Sequence, residues 1–209
     1  MRVAVAAVVA AGALAGCGGS QKPGAAALVG DDRITVSELS QTVRDWREQF
    51  RADPAANELR ASAGNPVQQL AGDSESDLRG ALTMMINFRV ADEVAERAGV
   101  TVTEAQVDRA VALLDQETNQ KLRRPPGTPG GAVSTTLDNG LPRRYTRDLA
   151  RLIATQIAVT QAGKPFLELF PAAAHGLDIE VNPRYGNYDP AKLELGPVRN
   201  RLSSPDSGI

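Results

Sequence analysis

The sequence has very few of the side chains that catalysis and metal binding most often use. Among its 209 residues there is one cysteine, Cys17, and one histidine, His175. A disulfide within the chain and a metal site built from several cysteines are therefore excluded. A Ser-His-Asp arrangement would have to use His175, which stands in an Ala-Gly stretch with no nucleophile motif near it. We expect no enzymatic activity, no catalytic residue, no metal and no cofactor.

Excess charge and long apolar runs are missing as well. The 23 basic and 25 acidic residues nearly cancel, so a polybasic surface that captures nucleic acid is not expected. The apolar run at residues 3–14 is shorter than the roughly 20 residues that a membrane-spanning helix needs. Aromatic residues are limited to four Phe, three Tyr and one Trp. Leu, Val, Ile and Ala must therefore supply most of the core.

The beginning of the chain has the order of elements that is typical of a bacterial lipoprotein signal. Arg2 precedes the apolar run, and LAGC at residues 14–17 matches a lipobox. Cleavage would remove residues 1–16 as a signal peptide and leave Cys17 with a diacylglyceryl thioether and an acyl chain such as palmitate. Two acyl chains anchor a protein stably, and residues 17–25 read as a flexible tether. We expect a lipid-anchored protein on the extracytoplasmic face of the cell membrane; the alternative is an ordinary secretory signal with a chance cysteine.

Four segments place apolar side chains at the spacing of an α-helix. The first follows a capping box of Thr35 and Glu38, and the third follows a second capping box of Thr103 and Gln106. The second runs from about residue 76 to the stop signal at Gly99. The fourth begins near residue 141 and ends near residue 163. Its apolar side is expected to contain Tyr145, Leu149, Leu152, Ile153, Gln156, Ile157 and Thr160.

The rest of the chain is predicted to form loops and two short strands. Residues 55–77 read mainly as a loop, residues 123–140 as a flexible loop rich in Pro and Gly, and residues 191–209 as a frayed tail. The strand segments 26–30 and 178–182 stand at opposite ends of the chain, and the simplest arrangement pairs them. The predicted fold is mostly α: a four-helix domain over residues 26–190, closed by a small two-stranded antiparallel sheet.

Three large side chains are candidates for contact with a peptide or a partner protein. Arg184 and Tyr185 stand on the turn after the second strand, where they could contact a partner or brace the turn. Trp46 continues the apolar stripe of the first helix, so it could pack in the core or contact another polypeptide. Turn chemistry and helical spacing favour the structural role in each case.

Two stretches carry a resemblance to a known family. VGDDRITVSEL (29–39) and AGVTVTEAQVD (98–108) resemble the N-terminal chaperone domain of SurA and of related parvulin-linked foldases such as PrsA, over about residues 26–187. VNPRYGNYD (181–189) is similar to the return strand of actinobacterial SurA-like lipoproteins. The resemblance implies a domain that holds unfolded or extended envelope proteins. It also implies that the two terminal segments of the domain pair with each other.

The sequence departs from the parvulin-linked members in one respect. Only residues 163–177 separate the fourth helix from the return strand, and neither they nor the residues after the strand could form a prolyl isomerase domain. We therefore expect a non-enzymatic chaperone, or holdase, that is anchored in the membrane by lipid. The alternative is a scaffold lipoprotein that binds one folded envelope partner. Client identity, oligomeric state and strand swapping between two copies stay open at this point.

Overall fold

The computed structural model describes residues 23–63 and 75–198. Cys17, the predicted signal peptide, most of the predicted tether and residues 199–209 lie outside these ranges. Within them the structure is mostly helical, with seven α-helices. The prediction of a mostly α fold is confirmed, although three short helices join the four that the apolar spacing predicts.

The first strands and helices follow directly from local sequence signals. Strand β1 (Ala25–Val29) turns at Gly30 into strand β2 (Asp32–Thr35), and helix α1 (Val36–Arg51) follows at once. The Thr35 hydroxyl accepts a hydrogen bond from the Glu38 N–H at 3.0 Å, and the Glu38 carboxylate accepts one from the Thr35 N–H at 3.4 Å. The predicted capping box is confirmed, and it fixes the start of α1.

A second helix begins where a loop was expected. Helix α2 (Pro54–Ser62) is capped by Asp53, whose carboxylate accepts a hydrogen bond from the Ala56 N–H at 2.9 Å. Proline is tolerated at the first helical position, where its missing N–H costs nothing. The loop prediction for residues 55–77 is therefore wrong for α2, and residues 64–74 lie outside the described ranges.

The two central helices agree with the predicted ones. Helix α3 (Glu75–Ala98) ends at Gly99, which adopts a φ of 62°. Helix α4 (Glu104–Lys121) begins after the capping box of Thr103 and Gln106. Helix α3 crosses the centre of the domain and contacts α1, β1 and the last two helices of the described chain. Its buried apolar side chains include Leu82, Met85, Ile86, Val90 and Val94.

The segment predicted to be a flexible loop at residues 123–140 contains a buried helix instead. Helix α5 (Gly131–Asp138) packs on α2 and α4. A Cβ atom on Gly131 would lie 2.9 Å from the main chain of Asp115, so only glycine allows the two helices to approach this closely. The Ala132 N–H also donates to the Asp115 carboxylate at 2.6 Å. Contacts with distant residues stabilise α5, which its own short sequence does not indicate.

The last two helices complete the helical layer. A single 3-10 turn (Arg143–Tyr145) leads into helix α6 (Thr146–Gln161), which is the fourth predicted helix. Helix α7 (Phe166–Gly176) follows and packs mainly on α3. It turns its buried side chains Phe170, Ala173 and Ala174 inward.

A small sheet joins the two ends of the domain. Strand β3 (Ile179–Val181) pairs antiparallel with β1, with Leu28 opposite Glu180. The predicted pairing of the terminal segments is confirmed. The sheet has three strands in the order β2-β1-β3 rather than two, because the chain folds back at Gly30 and β2 covers the other edge of β1.

The chain beyond the sheet is ordered further than the frayed tail that was predicted. A 3-10 turn (Pro183–Tyr185) leads to a hairpin of strands β4 (Tyr188–Asp189) and β5 (Glu194–Leu195). The hairpin lies on α3. The tail prediction is therefore wrong for residues 191–198, where hydrogen bonds from α3 hold the main chain.

Candidate functional site

Trp46, the first candidate for partner contact, lies in the core. Its side chain is 1% exposed, and its indole nitrogen donates a hydrogen bond to the Leu137 carbonyl oxygen at 2.7 Å. The ring packs against Phe50 at a centroid distance of 5.8 Å, and the Arg60 guanidinium lies 5.4 Å from its centroid. Trp46 therefore packs α1 against α5 and has no surface for a client.

Tyr185 also has a structural place, whereas Arg184 stays on the surface. Tyr185 is 2% exposed, and the exposed Arg184 guanidinium lies 5.0 Å from its ring centroid. Asn182 holds the turn: its side-chain amide donates to the Ala25 carbonyl oxygen at 3.2 Å, and its side-chain oxygen accepts from the Arg184 N–H at 3.2 Å. These hydrogen bonds brace the turn, which is the structural role that its sequence favoured. Of the pair, only Arg184 is accessible to a partner.

Cys17 and His175 are the other two residues that the sequence brought into consideration. Cys17 lies outside the described residues. His175 is exposed near the end of α7. The described residues contain no group of three or more His, Cys, Asp or Glu side chains that could hold a metal ion. None of the helices in the described part of the chain has both the length and the apolar character to cross a membrane.

An apolar cleft opens between α4 and α6. It has a volume of about 280 Å³. Among its lining residues, Leu113 of α4 is 37% exposed and Ile157 of α6 is 38% exposed. The other lining residues are Gln106, Arg109, Ala110, Ala154 and Gln161. The cleft thus combines apolar side chains with amide and guanidinium groups, a mixture that is common in ligand-binding sites.

The cleft forms because small residues bring the two helices together and leave larger ones at the edge. On α4, Val107, Ala110 and Leu114 are buried, so Leu113 falls outside that stripe. On α6 the buried side contains several small residues: Thr146, Leu149, Ala150, Ala154, Thr155, Ala158 and Val159. The predicted apolar side of this helix is therefore partly wrong. Gln156, Ile157 and Thr160 are exposed, while Leu152 and Ile153 are only partly buried.

Exposed ion pairs tie α4 to α6 beside this cleft. Arg147 donates to the Glu104 carboxylate at 2.6 Å and to Asp108 at 2.9 Å, and Arg151 donates to Glu104 at 2.5 Å. The hydrogen bonds from Arg147 and then from Arg151 lower the pKa of Glu104 below its usual range. Glu104 therefore stays ionised as the solution becomes mildly acidic.

Two other clefts lack partly exposed leucine or isoleucine side chains in their lining. A cleft of about 410 Å³ lies between the second half of α4 and residues 124–128, lined mostly by amide and charged side chains. A third, of about 250 Å³, lies beside the α3–α4 connection and includes Asp92 and Arg151. Partial burial raises the pKa of Asp92, and likewise that of Asp148 on α6, although both residues keep exposed surface. Neither cleft exposes a large apolar side chain of the kind found between α4 and α6.

Part of the chain matches a known protein family. A family model described as the SurA-like N-terminal domain matches residues 1–122, which is more than half of the sequence. The chain belongs to the SurA-like N-terminal domain family. This family is related to chaperones, and SurA-like domains bind unfolded polypeptides in general. No curated protein and no solved structure gave a match.

The matched part of the SurA-like chain ends at the last turn of α4. It contains the α4 side of the apolar cleft, including Leu113, whereas the α6 side comes from later residues. Neither Leu113 nor Ile157 is a candidate site residue from the sequence alone, and Ile157 was expected on the buried side of the fourth helix. A weak signal was present at Leu113, because it lies about 100° around the helix from Leu114 and outside the buried stripe of Val107, Ala110 and Leu114.

Proposed function

We propose that this protein is a non-enzymatic holdase that captures unfolded polypeptides outside the cytoplasmic membrane. The observation that carries the proposal is the apolar cleft between α4 and α6 in a SurA-like domain, with Leu113 and Ile157 partly exposed in its lining. Unfolded chains expose apolar side chains that folded proteins bury. Such side chains are the ligands that this cleft fits.

The cleft is suited to weak and reversible capture. Full burial of a Leu or Ile side chain is worth about 1.5–3 kcal/mol, and each of these two has roughly a third of its surface left to bury. Each then contributes about 0.5–1 kcal/mol to binding. Gln106, Arg109 and Gln161 in the lining can hydrogen-bond the main chain of a client without reading its sequence.

The lipid anchor and the absence of enzymatic activity are part of the same proposal. LAGC at residues 14–17 supports lipidation of Cys17 and a place on the extracytoplasmic face of the membrane. His175 is the one histidine of the sequence. The interval between α6 and β3, where a prolyl isomerase domain would interrupt the fold, is taken up by the 11 residues of α7 and short connections. The proposed mechanism needs no cofactor.

The test is suppression of aggregation by residues 20–209, which include every element described above. Several secreted proteins would be diluted from denaturant with and without this domain, in the absence of ATP. We expect protection of most of them at near-stoichiometric amounts. The double variant Leu113→Ser with Ile157→Ser should weaken client binding about 5- to 30-fold, because it removes about 1–2 kcal/mol of apolar contact.

Leu167→Ser is the matched control. Leu167 is 81% exposed on α7 and does not line the cleft, so its loss should leave protection unchanged. Equal loss in the control and in the double variant would contradict the cleft as the binding site. Failure to protect any client, together with stoichiometric cross-linking to one folded envelope protein, would replace the holdase with the scaffold function.

The anchor has its own test. Labelled palmitate should be incorporated into the full chain in a bacterial host that processes lipoproteins, and the protein should sediment with membranes. Cys17→Ser should abolish the label and release the protein. A protein that remains membrane-bound and unlabelled with Cys17 intact would contradict lipid anchoring.

A further inference from the structure

The last hairpin lies across α3 as an extended peptide would lie in a groove. Arg79 and Thr83 of α3, one helical turn apart, bond its main chain. The Arg79 Nη2 donates to the carbonyl oxygens of Leu195 and Gly196, each at 2.6 Å. The Thr83 Oγ1 accepts a hydrogen bond from the Leu195 N–H at 3.2 Å. Three main-chain groups of two adjacent residues are thus held by side chains of one helix.

One turn further along α3, Asn87 extends the same row. Its amide nitrogen donates to the Leu193 carbonyl oxygen at 3.1 Å. Its amide oxygen accepts a hydrogen bond from the Tyr188 hydroxyl at 2.7 Å, which fixes the orientation of the amide. Arg79, Thr83 and Asn87, called the α3 row below, lie on one face because they are four residues apart.

The side chains of the bound segment alternate as in an extended peptide. Leu195 is 6% exposed and enters the main core, whereas its neighbour Glu194 points to solvent. The hydrogen bonds from the α3 row to residues 193–196 all go to main-chain atoms. The groove therefore selects an extended backbone with one apolar side chain of about the size of leucine, and reads little else of the sequence.

Several features of the bound hairpin are energetically unfavourable. Strands β4 and β5 make only two residue pairs, and a two-stranded ribbon of this size is marginal without packing. Leu193 adopts a φ of 58°, a conformation that is unfavourable for a residue other than glycine. The Arg79 Nε is buried and has no hydrogen-bond acceptor among the described residues. The groove thus has a donor that its present occupant does not use.

We propose that the α3 row and the hole filled by Leu195 form a second docking site, for an extended polypeptide segment with a leucine-sized side chain. Residues 193–196 occupy this site within the chain, and a client segment competes with them. The site is separate from the cleft between α4 and α6, so the inference goes beyond the proposed function and does not depend on that cleft.

The probe is a fluorescently labelled peptide, PAKLELGPV, which copies residues 190–198. Its binding by the full chain is compared with binding by the full-chain variant Leu195→Asp, whose own segment no longer fills the hole. We expect the variant to bind the peptide about tenfold more tightly, because the competing intramolecular contact is removed. A peptide with Asp at the position of Leu195 should not bind either protein.

Two controls keep the outcome interpretable. Adding Thr83→Val to Leu195→Asp should abolish the gain in affinity, because the hydroxyl that accepts the main-chain N–H is lost. Gly186→Ala offers a second way to open the groove, since a Cβ at Gly186 would lie 2.3 Å from the Gly196 carbonyl oxygen. A folded Leu195→Asp variant, judged by circular dichroism, that binds the peptide no better than the unmodified chain would overturn the proposal.

Hydrogen exchange tests the unmodified chain in case the opened variants do not fold. Saturating peptide should speed the exchange of the Leu195 and Gly196 amides, and unchanged exchange would overturn the proposal. The double variant Leu113→Ser with Ile157→Ser should show the same increase. An unmodified chain that suppresses no aggregation but keeps the peptide response would contradict the proposed holdase cleft while supporting the groove on α3. Aggregation suppression without any response to the peptide would contradict only the proposed groove on α3.

Discussion

The indole N–H of Trp46 donates a hydrogen bond to the carbonyl oxygen of Leu137, which lies 91 residues further along the chain. This bond joins α1, near the start of the domain, to α5, within a segment whose composition predicts a flexible loop. Both residues are buried, and both belong to the main core. The interaction explains why the one tryptophan of the chain is structural, and it leads to the first prediction.

Trp46→Phe should destabilise the fold by about 2–4 kcal/mol. The change leaves a small cavity in the core and removes the donor for a buried carbonyl group. Urea unfolding followed by circular dichroism measures the effect, since the variant lacks the tryptophan signal. Leu167→Ala, at an exposed position, should shift the free energy of unfolding by no more than about 0.5 kcal/mol. Equal stability of Trp46→Phe and the unmodified protein would show that α5 does not depend on this contact.

Two glycine-to-alanine substitutions should have opposite effects. At Gly131 the new Cβ would lie 2.9 Å from the Asp115 main chain and from the Thr118 Cβ, so the α4–α5 contact must open. We expect a loss of about 1–3 kcal/mol. At Gly80, an exposed position within α3, nothing lies within 4 Å of the new Cβ. There alanine should stabilise by about 0.5–1 kcal/mol. Thermal unfolding of both variants checks the signs, and stabilisation by Gly131→Ala would be contrary to this packing.

Loss of the first capping box should cost more than an ordinary surface substitution. Thr35→Ala removes the acceptor for the Glu38 N–H at the point where β2 passes into α1. The expected cost is about 1 kcal/mol, within the usual range for helix caps. Thr35→Ser keeps the hydroxyl and serves as the control. If the two variants unfold at the same urea concentration, the hydroxyl does not contribute to the cap.

The ion pairs of Glu104 should make a small contribution that depends on pH. Hydrogen bonds from Arg147 and Arg151 lower the pKa of Glu104 in the folded state. A lowered pKa means that the stabilisation is fully present above the unfolded-state value, near 4.5, and is lost as the pH falls through the folded-state value. Glu104→Gln should therefore be slightly less stable than the unmodified protein at pH 7. The difference should vanish at strongly acidic pH.

Urea midpoints of the two proteins across this pH range measure the difference. It should also shrink in concentrated salt, because the pairs are exposed to solvent. If the unmodified protein gained stability over Glu104→Gln as the pH fell, the ionised Glu104 carboxylate would be destabilising in the folded state. In that case the ion pairs would not tie α4 to α6 in the way described.

Local sequence signals predicted the helices that have a strong cap at one end. The Thr35 and Thr103 capping boxes begin α1 and α4 as expected, and Gly99 ends α3, because cap hydrogen bonds and glycine conformation depend on a few neighbouring residues. Pairing of the terminal strands was also predictable, since an unpaired strand must find a partner and the chain offered one candidate. By contrast, α2 and α5 are short helices with little periodicity, so local patterns could not identify them.

Parts of the candidate site depend on how the helices are oriented. The spacing on α6 placed Ile157 with the buried residues, but packing of the alanines of α6 against α4 turns it to the surface of the cleft. The hairpin at residues 188–195 gave few periodic signals, because it is held by Arg79, Thr83 and Asn87 from a distant helix. Its order depends on contacts with α3, which cannot be inferred from the hairpin's own sequence.

The sequence by itself determined the family, the mostly helical class, the main helix starts and the joining of the two ends of the domain. These follow from caps, helical spacing and strand pairing, which involve neighbouring residues or a small number of alternatives. Helical spacing and turn chemistry favoured structural roles for Trp46 and Tyr185, and both side chains are buried. The order of α5 and the meeting of Leu113 and Ile157 across one cleft follow only from the tertiary structure. The reason is physical: burial and exposure depend on which faces of distant helices come together, and helical spacing fixes a face only relative to its own axis.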